Sequence, residues 1–173
     1  IPTIDFLINA GAKVILGSHL GRPKGIVNSD LSLKIVSERL SELMERPVVF
    51  CNDFKDKGWT NKFDKLPKGS VVLLENLRFF KEETDNDSEF SKLLASFADI
   101  YVNDAFGTSH RAHASTFGMA TNFKSKLAGF LVDKELRFIS KMLEQVEKPF
   151  VVIIGGSKIK DKISAMSKLL DKA

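Results

Sequence analysis

The sequence predicts an α/β fold: a parallel-sheet, Rossmann-like (doubly wound) N-terminal domain followed by the start of a second, similar domain. Three observations predict it. Short apolar runs alternate with helical patterns along the chain. Those runs lack an apolar/polar alternation, so they are expected to be buried on both faces. The helical stretch between successive runs implies crossovers and therefore parallel pairing.

Each element can be justified in order. Residues 2 to 10 carry Ile4, Leu7 and Ile8 on one helical face and end at Gly11, a C-terminal cap, before a strand over 13 to 17. A helix is predicted over 31 to 46, with Leu33, Val36, Leu40 and Leu43 on its buried side, and Pro47 leads into the strand Val48–Cys51. Strand Val71–Leu74 follows, then a helix over 88 to 98 built on Phe90, Leu93, Leu94 and Phe97, then strand Ile100–Val102. After Asn122 the rhythm changes. A long helix is predicted over 133 to 147, carrying Leu136, Ile139, Met142, Leu143 and Val146 and ending at Lys148-Pro149. Phe150–Ile154 then reads as a strand, Gly155-Gly156 as a turn, and 159 onward as a helix. The predicted organisation is a partial N-terminal domain over 1–132, a connecting helix over 133–148 and the start of a second domain over 149–173. Both ends fall inside helical patterns, so the chain is expected to be a fragment.

Composition narrows the function classes. At 43% apolar the chain can bury a core, and no apolar stretch approaches the roughly 18 residues of a membrane span. The amino end lacks the basic-then-apolar pattern of a signal peptide, so a cytoplasmic address is expected. The lone Cys51 cannot form an internal disulfide and is expected to be a buried strand residue. Basic residues outnumber acidic ones by 26 to 22, which raises a nucleic-acid partner as an alternative. The lysines are interleaved with acids, as in Lys34–Glu38, and read as solvated helix faces.

In open parallel sheets ligands bind beyond the carboxyl ends of the strands. Three arginines, Arg22, Arg78 and Arg111, each follow a predicted strand, within Ser18-His-Leu-Gly-Arg22, Glu75-Asn-Leu-Arg78 and Gly107-Thr-Ser-His-Arg111. Three forked guanidiniums at one sheet edge would cradle a phosphate or carboxylate through paired hydrogen bonds. His19 and His110 lie beside those arginines, in loops of glycine and small residues that admit a ligand to the backbone. A metal site at His110, His113 and Asp104 lacks a further nitrogen or sulfur ligand at suitable spacing, and the neighbouring arginine repels a cation. No Gly-x-Ser-x-Gly elbow supports a hydrolase. Phe117, Met119 and Phe123 read as core.

A second stretch, Gly155-Gly-Ser-Lys-Ile-Lys-Asp-Lys162, follows a strand and opens a helix. Its bare N–H groups and positive helix end would face an anion, with Lys158 and Lys162 on one side. Walker A spacing is absent. Asp161 could address a magnesium ion carried by a nucleotide. Two anion sites joined by a helix suggest transfer between two phosphorylated partners, a reaction that needs alignment, charge neutralisation and exclusion of water.

The motifs "SHLGRP", "LLENLRF", "YVNDAFGTSHRAHAS" and "GGSKIKDK", in this order and spacing, closely resemble the phosphoglycerate kinase family over essentially the whole chain. The resemblance implies a two-domain glycolytic enzyme that moves a phosphoryl group between 1,3-bisphosphoglycerate and ADP, giving 3-phosphoglycerate and ATP, with Mg2+. It implies a monomer when intact, with no nucleic-acid or membrane partner. By position, His19, Leu20, Gly21, Arg22, Arg78 and Arg111 would hold 3-phosphoglycerate. Gly156, Ser157, Lys158 and Lys162 would bind nucleotide, Asp161 would meet the metal, and Lys162 and Arg111 would serve catalysis, with in-line transfer once the domains close about the 133–148 helix. Ser109 and Ser157 stand where the family's usual alanines are. The family's opening strand and nearly all of its nucleotide domain have no counterpart in the sequence, so the segment alone is expected to lack kinase activity.

Overall fold

The computed structural model describes residues 1–144, 149–151 and 153. It is an α/β arrangement whose central element is β3 (Val71–Leu74), buried along its whole length. Strands β1 (Val14–Leu16) and β2 (Val48–Cys51) flank it in parallel, in the order β1-β3-β2. Val14 and Val48 lie opposite Val71, while Ile15 and Val49 lie opposite Val72. Because side chains alternate across a sheet, this register sends Val14 and Val71 to one face and Val72 and Leu74 to the other.

Each face has its own core. On the first, Val14 and Val71 pack with Ile8 of helix α1 (Pro2–Asn9) and with Met44 of helix α2 (Lys34–Met44). On the second, Cys51, Val72 and Leu74 meet Phe54, Phe63 of α3 (Lys57–Lys65), and Phe90 and Leu94 of α5 (Ser88–Ala95). Short α4 (Lys81–Thr84) leads into α5. Phe54 is the hub of the aromatic packing, with ring centroids 5.0 Å from Phe80, 6.0 Å from Phe90 and 6.3 Å from Phe97, distances at which offset and edge-on rings attract.

The second sheet pairs β4 (Ile100–Asn103) with β5 (Ser125–Ala128), again in parallel. Helix α6 (Phe130–Glu144) begins immediately after β5, three residues ahead of the predicted start at 133. Its first turn is capped from a distance. Leu131 N–H donates to Asp104 Oδ1 at 2.8 Å, Phe130 N–H donates to Thr3 Oγ1 at 3.0 Å, and Thr3 Oγ1 donates to Asp104 Oδ2 at 2.7 Å. Two amides that the helix cannot satisfy internally thus find partners on α1 and at the end of β4. The fold comprises two compact units, Ile1–Leu131 and Val132–Ala173.

Several sequence expectations are corrected. Among the described strands, burial on both faces holds fully only for β3, since Ile100 of β4 is 53% exposed and β5 is exposed throughout. The inner face of α2 runs through Leu33, Ser37 and Met44, leaving Val36 and Leu43 outward. Ser37 is cheap to bury because its hydroxyl donates to Lys34 O at 2.7 Å. Phe117 is exposed, whereas Phe123 is buried and Met119 packs on the core. Helix α3 and strand β5 were not anticipated. The predicted strand 150–154 is described only at Phe150, Val151 and Ile153; the turn and the helix beyond lie outside the described residues.

Candidate anion-binding site

Three loops leave the carboxyl ends of β1, β3 and β4, and each carries one of the arginines. The β1 loop, Gly17 to Gly25, turns at Gly21, whose φ of +64° is left-handed backbone that a side chain disfavours. A Cβ there would also lie 2.9 Å from Leu31 Cδ2, so the loop folds tightly on itself.

The β3 loop is stitched to it. Leu77 N–H donates to Ser18 O at 3.1 Å, and Gly25 N–H donates to Arg78 O at 3.1 Å. Asn76, fully buried, donates through Nδ2 to Leu20 O and Leu31 O at 2.8 and 2.9 Å and accepts Arg78 N–H at 3.0 Å. Arg78 Nη1 donates to Gly21 O at 3.2 Å. Before Asn76, the Glu75 carboxylate accepts Ser32 Oγ–H at 2.7 Å and Leu33 N–H at 2.8 Å, fixing the far end of the same loop where α2 begins.

The β4 loop is braced from within. Ser109 Oγ donates to Ala105 O and accepts from Asn103 Nδ2, so the serine adds bonds to the turn before Arg111. Thr116 Oγ1 donates to Arg111 O at 2.7 Å, from the π-turn Ala114–Gly118. Below that turn sits Glu83 of α4, buried, accepting Ser115 N–H at 3.0 Å and Ser115 Oγ–H at 2.6 Å, with His113 Nδ1 at 3.8 Å.

The electrostatics report convergence. Burial first, then Arg111 and Arg22, push the Arg78 pKa down against an opposing pull from Glu83. The His19 pKa is lowered by burial, then by Arg78, His113 and Arg111. Burial also lowers that of His113; Glu83 opposes, while Arg78, Arg111 and His110 reinforce the fall. Arg111 therefore makes Arg78, His19 and His113 harder to charge, Arg78 does the same to both histidines and Arg22 to Arg78, an effect that an incoming anion would relieve. One donor already lacks a partner, because Arg78 Nε is buried with no hydrogen bond. Such an atom costs stability unless something accepts from it.

Of the sequence-predicted substrate residues, His19, Leu20, Gly21, Arg22, Arg78 and Arg111 all lie on these three loops. Gly156, Ser157, Lys158, Asp161 and Lys162 lie outside the described residues. Sequence reasoning paired His110 with the arginines, but His110 is exposed and His113 is the histidine packed on the site. Among the described residues no group of three or more His, Cys, Asp or Glu could hold a metal ion.

A model of the family described as phosphoglycerate kinase matches residues 1–173. The chain belongs to the phosphoglycerate kinase family. A phosphoglycerate kinase from Clostridium botulinum is 49% identical over 174 residues, and one from Dictyoglomus turgidum is 52% identical over 172. Each match covers 99% of this chain but only 44% and 43% of the relative. Among solved structures, phosphoglycerate kinase from Coxiella burnetii matches with a TM-score of 0.85 at 41% identity, covering 99% of this chain and 43% of that one. The Pyrococcus horikoshii OT3 phosphoglycerate kinase also matches with a TM-score of 0.85, at 33% identity, with 99% and 44% covered. The chain thus spans less than half the length of the phosphoglycerate kinases it matches.

Proposed function

We propose that this chain supplies the 3-phosphoglycerate side of a phosphoglycerate kinase. The reaction is the reversible transfer of a phosphoryl group from 1,3-bisphosphoglycerate to ADP, so in the reverse direction the acceptor is the carboxyl group of 3-phosphoglycerate. The observation that carries this reading is the clustering of Arg22, Arg78, Arg111 and His19 at the strand ends, with Arg78 Nε buried and unsatisfied. Guanidinium forks suit phosphate and carboxylate, and a cluster of them opposes binding of a bare cation.

Arg111 would align the acceptor and neutralise its charge, and Lys162 would steady the phosphoryl group in transfer. Gly156, Ser157 and Lys158 would hold nucleotide phosphates. Mg2+ would arrive with the nucleotide, addressed by Asp161, and would neutralise phosphate charge there. We assign a partial substrate domain to 1–132, a connecting helix to 133–148 and the start of the nucleotide domain to 149–173, in a cytoplasmic monomer with no nucleic-acid or membrane partner. Among the described residues no helix is long and apolar enough to cross a membrane. This segment, which spans less than half the length of its relatives, would by itself have negligible turnover, because most of the nucleotide domain and part of the substrate site lie outside it.

The test is calorimetric titration of 3-phosphoglycerate into the full-length protein and its Arg111→Ala variant. Saturable binding weakened by the substitution supports the assignment. No binding by the folded parent, or steeply salt-dependent RNA or DNA binding that outcompetes 3-phosphoglycerate, overturns it.

A further inference from the structure

We propose that Asn76 is a positioning residue that sets the spacing between the Arg22 loop and Arg78, and with it the preference for a two-ended anion over inorganic phosphate. The inference rests on the 3-phosphoglycerate reading above. Asn76 touches no space open to ligand; it is wholly buried, and its amide reaches three separate backbone groups. Nδ2 holds Leu20 O and Leu31 O, so both ends of the long segment between β1 and α2 hang from one amide nitrogen. Oδ1 receives Arg78 N–H, so the same planar group fixes the turn that presents the second arginine. No other side chain of this size offers two donors and an acceptor in one plane.

The geometry has a chemical consequence. An anion with a single charged end can be held by whichever loop it meets, whatever the separation of the loops. Phosphate and carboxylate on one molecule must meet donors from more than one loop at a fixed distance, and small displacements of positioned groups cost binding steeply. Arg78 Nη1 also bonds Gly21 O, adjacent to Arg22, at 3.2 Å, and the Leu77–Ser18 and Gly25–Arg78 backbone bonds of 3.1 Å bridge the same two loops. Asn76 supplies the shorter bonds.

The experiment compares the full-length parent with Asn76→Leu, neutral and of the same branched outline though bulkier, and with Asn76→Ala. Dissociation constants are measured for 3-phosphoglycerate, inorganic phosphate and ADP. Ser91→Ala serves as the control, since Ser91 is equally buried and bonds Asp87 O, away from the arginines. The expected result is a loss of at least about tenfold in affinity for 3-phosphoglycerate. Phosphate and ADP should stay within about threefold, and the control should change none of them despite its own loss of stability. Equal weakening of 3-phosphoglycerate and phosphate, or none, overturns the inference while leaving the substrate reading intact. Failure of the parent to bind 3-phosphoglycerate overturns both. A measurement on the unsubstituted protein covers variants that do not fold: 3-phosphoglycerate should slow hydrogen exchange of the Gly25 and Leu77 amides, which bridge the two loops, and of the Arg78 amide held by Asn76 Oδ1, and phosphate should do so far less. Equal protection by the two anions also overturns the inference.

Discussion

Replacing Arg78 with methionine should make the ligand-free protein more stable. Arg78 Nε is buried without a hydrogen-bond partner, an arrangement that costs about 1–3 kcal/mol. Arg111 and Arg22 add repulsion, seen in the lowered Arg78 pKa after the larger effect of burial. Against this, the variant loses the Nη1 bond to Gly21 O, worth about 0.5–1.5 kcal/mol at its length of 3.2 Å. Methionine retains most of the side chain's apolar stem, so packing changes little. The balance is a gain of about 1 kcal/mol in urea unfolding of the full-length protein. Ligand should reverse the order. At a concentration about 100 times its dissociation constant, 3-phosphoglycerate stabilises the parent by about 2.7 kcal/mol, while the variant at that concentration should gain under about 1. The reasoning is refuted if Arg78→Met is less stable than the parent without ligand, or if 3-phosphoglycerate stabilises both equally.

Three further outcomes are expected. His19 and His113 have pKa values below the ordinary 6.5, chiefly through burial and then, net of the Glu83 pull on His113, through the arginines. The native state resists protonating them while the unfolded chain does not, so ligand-free stability should rise with pH from below their folded values up to about 6.5. An anion reverses the field, so titrations of 3-phosphoglycerate near pH 6 in buffers of different ionisation heat should show proton uptake; identical heats would contradict this. Gly21→Ala should lose about 1–2 kcal/mol in urea unfolding, from its positive φ and the push on Leu31, and should weaken 3-phosphoglycerate more than ADP. Burial pushes the Cys51 thiol up to about 12 from 9.0, lowering its thiolate fraction at pH 8 about a thousandfold. Alkylation of Cys51 should therefore wait for unfolding, and labelling of the native protein at the rate of a free thiol would count against the buried placement.

What could be read from the sequence depended on whether the signal was local. Val71–Leu74 announces a buried strand by composition, and the arginines stand out because each follows such a run in a glycine-bearing loop. Helix α3 has only Trp59, Phe63 and a polar remainder, so its place depends on Phe63 meeting Phe97 at 5.1 Å and on the Asp56 cap, neither visible as a periodic pattern. Strand β5 is held by pairing with β4 while its side chains face water, which leaves no apolar alternation to read. Glu82 and Glu83 are neighbours of one type, yet Glu82 pairs with Lys55 near the surface and Glu83 is buried under Ser115. Only the docking of the 113–116 turn separates them, and the same docking makes His113, rather than His110, part of the site. Asn76 was legible as part of a motif and not as its fastener, because its partners at Leu20 and Leu31 are 56 and 45 residues away.

The cap on α6 has a consequence for the order in which the chain is made. Phe130 N–H is held by a hydroxyl 127 residues earlier, and that hydroxyl in turn rests on Asp104. During synthesis at about 5–20 residues per second, Thr3 leaves the ribosome on the order of ten seconds before its partner amide exists. Until Asp104 follows, water must serve the Thr3 hydroxyl, and the clasp closes only once Phe130 has been added. Thr3 is thus made long before the last of its partners exists.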